Sequence, residues 1–361
     1  MNDTVVIVGA GFSNEAKVPT TSELGKFFPN LRPTDVTPDP VQSLISLHLR
    51  KFWEDVFHWQ EGLTEPTFED HFTTLDLAAN SGHNLGPNYP PNKLRAIRRL
   101  SIHRVFDILN RFIPNEKLGG FLDLLARGRN NALISMNWDI VVENHLIRNH
   151  QNYNYGISMQ SIDHEYISRN QELPLLKLQG SSNWLYCDSC RKLYCGPPGG
   201  GKTALRSWTF LEEKDFKLLD PNVTHHIIQA IINKKESSQF SKCIFCNNPL
   251  TARVATFSYS KAYNYFQFQG VWARALEYLL NSRNWIFIGY SLPDADYEVR
   301  HLLKTAQMAN PNKRKLRITV VSRCSEDALD RYARFFGISK NKMHNHGFSA
   351  WFQQEHNRLL N

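Results

Sequence analysis

Residues 4–13 read TVVIVGAGFS. Five consecutive β-branched residues, Thr4 to Val8, form an apolar run without the polar alternation of a half-exposed strand. Such a run suits a parallel strand covered on both faces. It stops at Gly9-Ala10-Gly11, and a glycine pair directly after a core strand predicts a tight strand-to-helix turn whose backbone can approach a pyrophosphate. Gly9, Ala10, Gly11, Phe12 and Ser13 are therefore candidate binding residues, with Pro19 downstream in the same loop. Asn14 stands where the usual dinucleotide fingerprint has its third glycine, so the turn alone is a weak signal. Thr20-x-x-Glu23 predicts a capping box opening the next helix.

Working outward, four further runs carry the strand pattern: NALISMNWD (131–139), LPLLKLQG (173–180), NWIFIGYSL (284–292) and LRITVVSR (316–323). Between them lie amphipathic helical patterns such as VWARALEYLL (271–280) and DYEVRHLLKTA (296–306). Buried strands alternating with helices predict an α/β domain with a doubly wound, Rossmann-like parallel sheet. The stretch 31–125 has helical signals and few strand signals, and is expected to be an inserted helical module. Residues 187–249 are bounded by cysteine pairs and read as a zinc-ribbon-like insertion. The Rossmann-like domain is then assembled from 1–30, 126–186 and 250–361.

At 361 residues with 42% hydrophobic and 21% charged side chains, the chain can bury a large core and is not of the disordered class. No apolar run reaches the roughly 18 residues of a membrane span, and the first residues lack the basic region of a signal peptide. A cytoplasmic protein without a membrane role is expected. Lysine and arginine number 42 against 34 aspartates and glutamates, a net charge of +8. This mild excess gathers in KLRAIRRLSIHR (93–104), where Leu94, Ile97, Val105 and Leu109 share one face. Lys93, Arg95, Arg98 and Arg99 then form a solvated side, so contact with nucleic acid is expected only indirectly.

The six cysteines include two CxxC pairs, Cys187/Cys190 and Cys243/Cys246. Two such pairs can complete one tetrahedral thiolate site, and with no secretory signal that chemistry favours structural Zn2+ over disulfides. Residues 191–242 separate the pairs, more than the common spacing, so an insertion must loop out. Within it, Gly196 to Thr203 (GPPGGGKT) matches the Walker A pattern. A working P-loop needs a preceding core strand and an acidic strand end elsewhere, and neither accompanies this one.

Four strand ends carry polar residues where α/β proteins collect ligands. Ser135-Met136-Asn137-Trp138-Asp139 offers an amide and a carboxylate, although such residues at strand ends also serve as turn formers and caps. Lys177 to Trp184 (KLQGSSNW) ends the next strand. Gly289-Tyr290-Ser291 and Ser322 end the last two.

Taken together and in this order, these motifs resemble the sirtuin superfamily, and more narrowly the sirtuin-like NAD-consuming domains of bacterial anti-phage defence. The shared pieces are GAGxS with a downstream Val-Pro, a strand ending Asn-x-Asp, a GSxNW element, the CxxC pairs and IGYSLPDxDY, spanning residues 4 to about 322. The resemblance implies cleavage of the nicotinamide–ribose bond of NAD. Asn137 would position water or ribose, position 179 would supply the general base, and Asp139 would assist. Gly9, Ala10, Gly11, Phe12, Ser13, Pro19, Gly289, Tyr290, Ser291 and Ser322 would hold the dinucleotide. It also implies a homo-oligomer and a separate activating partner, a helicase-like ATPase or an Argonaute-like protein.

Two residues depart from that pattern. Gln179 stands where the family carries its histidine, and an amide does not titrate near neutral pH. The chain is either a natural inactive member or a substituted form that traps NAD; the intact remainder of the motifs favours the second. Lys17 replaces a glycine before the Val-Pro step. Two rival functions use the same cofactor: a protein deacylase and a non-catalytic NAD-binding scaffold. Deacylating relatives carry Phe-Gly-Glu after the second CxxC, whereas this chain has Phe257-Ser258-Tyr259, which disfavours a peptide groove. The Walker-like loop carries its own expectation. Lys202→Ala should leave turnover unchanged, and titration of the unmodified protein should give no micromolar affinity for ATP.

Overall fold

A computed structural model describes residues 3–28, 40–109, 116–161, 172–195, 213–223, 226, 229, 242–252, 254, 266–311, 315–323, 326–340 and 343–360. The GPPGGGKT loop, Cys324 and residues 257–259 lie outside the described residues. The strand at Thr4–Val8 (β1) forms as the β-branched run requires, and all five of its residues are buried. It sits at the centre of a seven-stranded sheet. On one side lie β2 (Ala132–Ser135), β5 (Glu172–Lys177) and β3 (Asn152–Asn154); on the other lie β9 (Asn284–Ile288), β10 (Arg317–Val321) and β11 (Met343–His344). Every pairing in this sheet is parallel, with Val5 opposite Ala132 on one side and Trp285 on the other.

Strand order reverses at β1, since the chain adds β2 and β5 on one side and β9 and β10 on the other. Open α/β sheets leave a crevice beyond the carboxyl ends of the strands at such a switch point. Helices cover the sheet: α1 (Ala10–Asn14), α2 (Thr21–Phe27), α6 (Glu116–Arg127), α7 (Val141–Arg148), α9 (Phe266–Asn281), α10 (Tyr297–Ala309), α11 (Glu326–Phe336) and α12 (Phe348–Leu360). Phe12 of α1, Phe121 of α6 and Phe348 of α12 stack edge-on, with ring centroids 5.4–6.4 Å apart. Phe287 of β9 meets Tyr332 and Phe336 of α11. The predicted capping box is present, with Glu23 reaching back to the Thr20 amide at 2.7 Å.

The inserted helices are α3 (Pro40–Phe57), α4 (Phe68–Ser81) and α5 (Pro91–Leu109), with α8 (Glu213–Leu219) against α5. The expected break at 125/126 falls inside α6, whose Phe121 also meets Trp351 and Phe352 of α12. Within 187–249, α8 docks on the helical module through the ion pair of buried Asp215 with Arg99. The basic stripe of α5 is likewise less solvated than its pattern suggests. Leu94, Ile97, Val105 and Leu109 are buried, but Arg98 pairs with Asp76 at 2.5 Å, so part of the positive charge is neutralised internally. A second sheet, ordered β4 (Gln160–Ser161), β7 (Lys192–Cys195), β6 (Trp184–Cys187) and β8 (Thr251–Ala252), carries the cysteine pairs. Among the described residues no helix is long and apolar enough to cross a membrane.

The glycines of the first turn serve a tighter purpose than the sequence suggests. A Cβ at Gly9 would lie 2.7 Å from Tyr290 Cα, and one at Gly11 would lie 2.8 Å from Gly289 Cα. Gly289 itself has φ +61°, and its Cβ would meet the Phe12 nitrogen at 2.2 Å. Backbone therefore packs on backbone here. Gly289→Ala should cost about 2–5 kcal/mol, combining left-handed strain with overpacking. Gly62→Ala, at φ +93° with nothing within 4 Å, is the comparator and should cost only the strain. Thermal and denaturant unfolding of the two variants measures the difference.

Candidate active site and metal centre

A cleft of about 920 Å3 opens at the carboxyl ends of β1, β2, β5, β9 and β10, within the range of about 300–1,000 Å3 common for small-molecule and cofactor sites. It is lined by Gly9, Ala10, Gly11, Ser13, Pro19, Asn137, Asp139, Gln179, Gly289, Tyr290, Ser291 and Ser322. Phe12 is the exception among the expected residues. Its ring is fully buried in the α1–α6–α12 aromatic cluster and faces away from the cleft.

The first turn is held by its own bonds. Gly9 N donates to Ile288 O at 3.1 Å, Gly11 N to Gly289 O at 2.9 Å and Phe12 N to Gly9 O at 2.9 Å. These amides are committed within the protein, so the expected cradle of glycine N–H groups reduces to Ala10 N–H and neighbouring side chains. Asn137 ties the turn to β2: its Nδ2 donates to Gly9 O at 2.9 Å and to Ser13 Oγ at 2.8 Å. That spends both amide hydrogens and leaves Oδ1 as the acceptor for a ligand. Lys17 adopts φ +65°, the conformation glycine takes freely, which is why a glycine at this position would be unstrained.

Asp139 takes the local role of a cap. Its Oδ1 accepts from Val141 N at 3.2 Å at the start of α7, and its backbone carbonyl accepts from Lys177 Nζ. Lys177 and Glu143 form an ion pair at 3.2 Å with side chains 1% and 0% exposed. Tyr155 OH and Ser181 Oγ also donate to Glu143, at 3.1 and 3.4 Å, and Asn183 Nδ2 donates to Tyr155 OH at 3.0 Å. Burial pushes the Glu143 carboxyl up against the opposing pull of Lys177. This buried network fixes the turn after β5, which carries Gln179.

Gln179 is 5% exposed and donates from Nε2 to Asp296 Oδ1 at 3.4 Å, while Asp296 Oδ2 accepts from Tyr290 OH at 2.7 Å. The loop bearing Tyr290 and Ser291 is braced by α11, through Tyr332 OH to Tyr290 O at 2.8 Å and Arg331 Nη2 to Ser291 O at 3.1 Å. The remaining wall was not legible in the sequence. Thr64 to Thr67, between α3 and α4, and Phe68 and Glu69 at the start of α4 face the cleft from the helical module, and Arg323, Gly347 and Phe348 complete the far end. Among the described residues no histidine or lysine lines the cleft; the charged ones are Glu15, Glu65, Glu69, Asp139, Asp296 and Arg323.

The four paired cysteines converge. The Sγ atoms of Cys187, Cys190, Cys243 and Cys246 all lie within 4.8 Å of one another, and Cys187 and Cys246 are 3.4 Å apart. A tetrahedral centre with Zn–S bonds of about 2.3 Å places its sulfurs about 3.8 Å apart. The two knuckles share one backbone form. Arg191 N donates to Cys187 O and Asn247 N to Cys243 O, both at 2.8–2.9 Å, and both residues have positive φ, at 54° and 57°. Burial pushes the Cys243 thiol up, but hydrogen bonds from Tyr194 OH and the Phe245 and Cys246 amides outweigh it and bring it to about 6. Cys190 is pushed up to about 12, chiefly by its bond with Cys246 and by burial. The donor set and spacing fit a structural Zn2+ with no open position for substrate. Cys195 is apart from this cluster, and burial pushes its thiol up to about 11.

No family model matches the chain, and no curated relative matches it by sequence. Solved structures do resemble it over nearly its whole length. One, described as Sir2 with a p53 peptide and NAD+, is 13% identical, with 98% of this chain and 92% of that chain covered and a TM-score of 0.43. A second, on the structural basis of sirtuin substrate affinity, is 13% identical with 98% and 93% covered and a TM-score of 0.45. A third, a mutant Sir2 homologue in complex with ADP ribose, is 14% identical with 99% and 91% covered and a TM-score of 0.44.

The metal centre gives a direct expectation. Protein purified without chelator should carry about one zinc per chain by elemental analysis. Cys187→Ser and Cys243→Ser should each lose most of it and lower the unfolding midpoint.

Proposed function

We propose that this chain binds NAD across the cleft and belongs, by its reaction, with the glycohydrolases that release nicotinamide and ADP-ribose. The observation carrying this reading is the gathering, at the switch point of a parallel sheet, of Asn137 and Gln179 at one end and Gly289, Ser291 and Ser322 at the other. A dinucleotide laid across β1 would place its reactive ribose at the Asn137–Gln179 end and its adenosine beyond β9 and β10. Water adds to C1′ of the ribose, the C–N bond to nicotinamide breaks, and one proton leaves for solvent.

Asn137 Oδ1 can orient a hydroxyl or the attacking water. Gln179 cannot take a proton, and among the described residues no lining histidine replaces it, so turnover by this sequence is expected to be slow while binding persists. A role in anti-phage defence, a homo-oligomeric assembly and an activating helicase-like or Argonaute-like partner belong to the same proposal and rest on the motif resemblance. A structural Zn2+ held by the four cysteines is outside the reaction.

Nicotinamide release by the two forms, measured side by side with and without candidate partners, tests the assignment. Gln179→His should raise release by roughly 10²–10⁴-fold, the usual range for general base catalysis. Asn137→Ala in that background should remove it. Equal, brisk release from both forms would overturn the role given to position 179. Formation of O-acyl-ADP-ribose that requires an acylated peptide would identify a deacylase instead.

A further inference from the structure

We propose that Asp296 is the positioning residue for the side chain at 179, and that Asp296, Tyr290 and residue 179 act as one unit. This deepens the reading of the cleft given above and rests on it for its catalytic meaning. Asp296 directly precedes α10, at the N-cap position. An aspartate there ordinarily accepts from the amides of the first turn. Its side chain makes no such bond. The carboxylate turns to the cleft instead, where Oδ1 meets Gln179 Nε2 at 3.4 Å and Oδ2 meets Tyr290 OH at 2.7 Å.

Asp296 is 4% exposed and lines the cleft beside Gln179. Ionised, it can only accept hydrogen bonds, so it dictates which end of the Gln179 amide it meets. The N–H side turns to Asp296 and Oε1 remains as an acceptor for a ribose hydroxyl or a water. An imidazole in the same place would present an N–H to Asp296. Its other nitrogen would then be the proton acceptor, in a single tautomer, and its protonated form would be stabilised. The loop around the carboxylate is built to hold it, through the Tyr332 bond to Tyr290 O and the left-handed turn at Leu292, φ +50°.

The test uses the chain carrying Gln179→His, with and without Asp296→Asn, and NMR titration of the introduced imidazole. The other titratable groups lining the cleft are Glu15, Glu65, Glu69, Asp139, Tyr290 and Arg323. Asp296→Asn should lower the imidazole pKa by about 1–3 units. Glu65→Gln, which removes a carboxylate from the helical-module wall, should shift it by less. Nitrogen-15 shifts of the neutral ring, which need no Asp296 variant, should report one tautomer. An unchanged pKa in Asp296→Asn, or averaged tautomers, would overturn the proposal. Neither readout involves substrate, so both stand apart from whether NAD is cleaved. If it is, Asp296→Asn should lower kcat with little change in KM and move the acid limb of the pH–rate profile to lower pH.

Discussion

Three glycines allow two backbone segments to touch, and the site depends on that contact. The turn after β1 and the turn after β9 approach so closely that Gly9, Gly11 and Gly289 leave no room for a Cβ. Gly11 N bonds Gly289 O, and Gly9 N bonds Ile288 O, so the two strand ends are joined beyond the sheet as well as within it. Everything at the cleft floor is referenced to this joint. Asn137 hangs from Gly9 O and Ser13, and Tyr290 leads directly from Gly289 to Asp296. Separating the two turns by the width of a methyl group would move both ends of the cleft at once.

The polar groups of the cleft fall into two kinds. Lys177, Ser181 and the Asp139 carbonyl are tied together around Glu143 Oε1, with Glu143 Oε2 left unbonded among the described residues, so they set the geometry of the β2 and β5 ends. Asn137 is held by Gly9 O and Ser13 Oγ, and Gln179 by Asp296, but Asn137 Oδ1 and Gln179 Oε1 remain as acceptors for a ligand. A buried ion pair is weak evidence of stability but costs about 3–5 kcal/mol when one partner is lost. Its position directly behind the 178–183 turn is therefore informative about rigidity rather than about chemistry.

The central strands were legible because each is an uninterrupted apolar run, the form a strand takes when helices cover both faces. β1, β2, β9 and β10 all lie within the runs read from the sequence, and β5 begins one residue before its run. The edge strands β3 and β11 were not, being three and two residues long and too short to show a period. Most expected cleft residues do line it, since strand ends in a doubly wound sheet converge whatever their spacing in sequence. Phe12 failed because a residue in a one-turn helix alternates between cleft and core, and its ring took the core. Asp296 was visible in the motif DADY but had the ordinary look of a helix cap, and only its diverted carboxylate distinguishes it. The Thr64–Glu69 wall has no local signature, because it is placed by the packing of α3 and α4.

Six residues separate the end of the strand bearing Lys177 from the strand that enters the cysteine sheet, so the loop of Gln179 is anchored in both sheets. One anchor is a parallel sheet with a large apolar core. The other is a small cluster in which Leu185, Cys187, Tyr194, Cys243 and Leu250 are the only buried members among the described residues. A cluster of that size holds its shape chiefly through whatever its thiolates bind. Loss of a metal from those thiolates, or their oxidation, would therefore loosen one of the two anchors of the Gln179 loop.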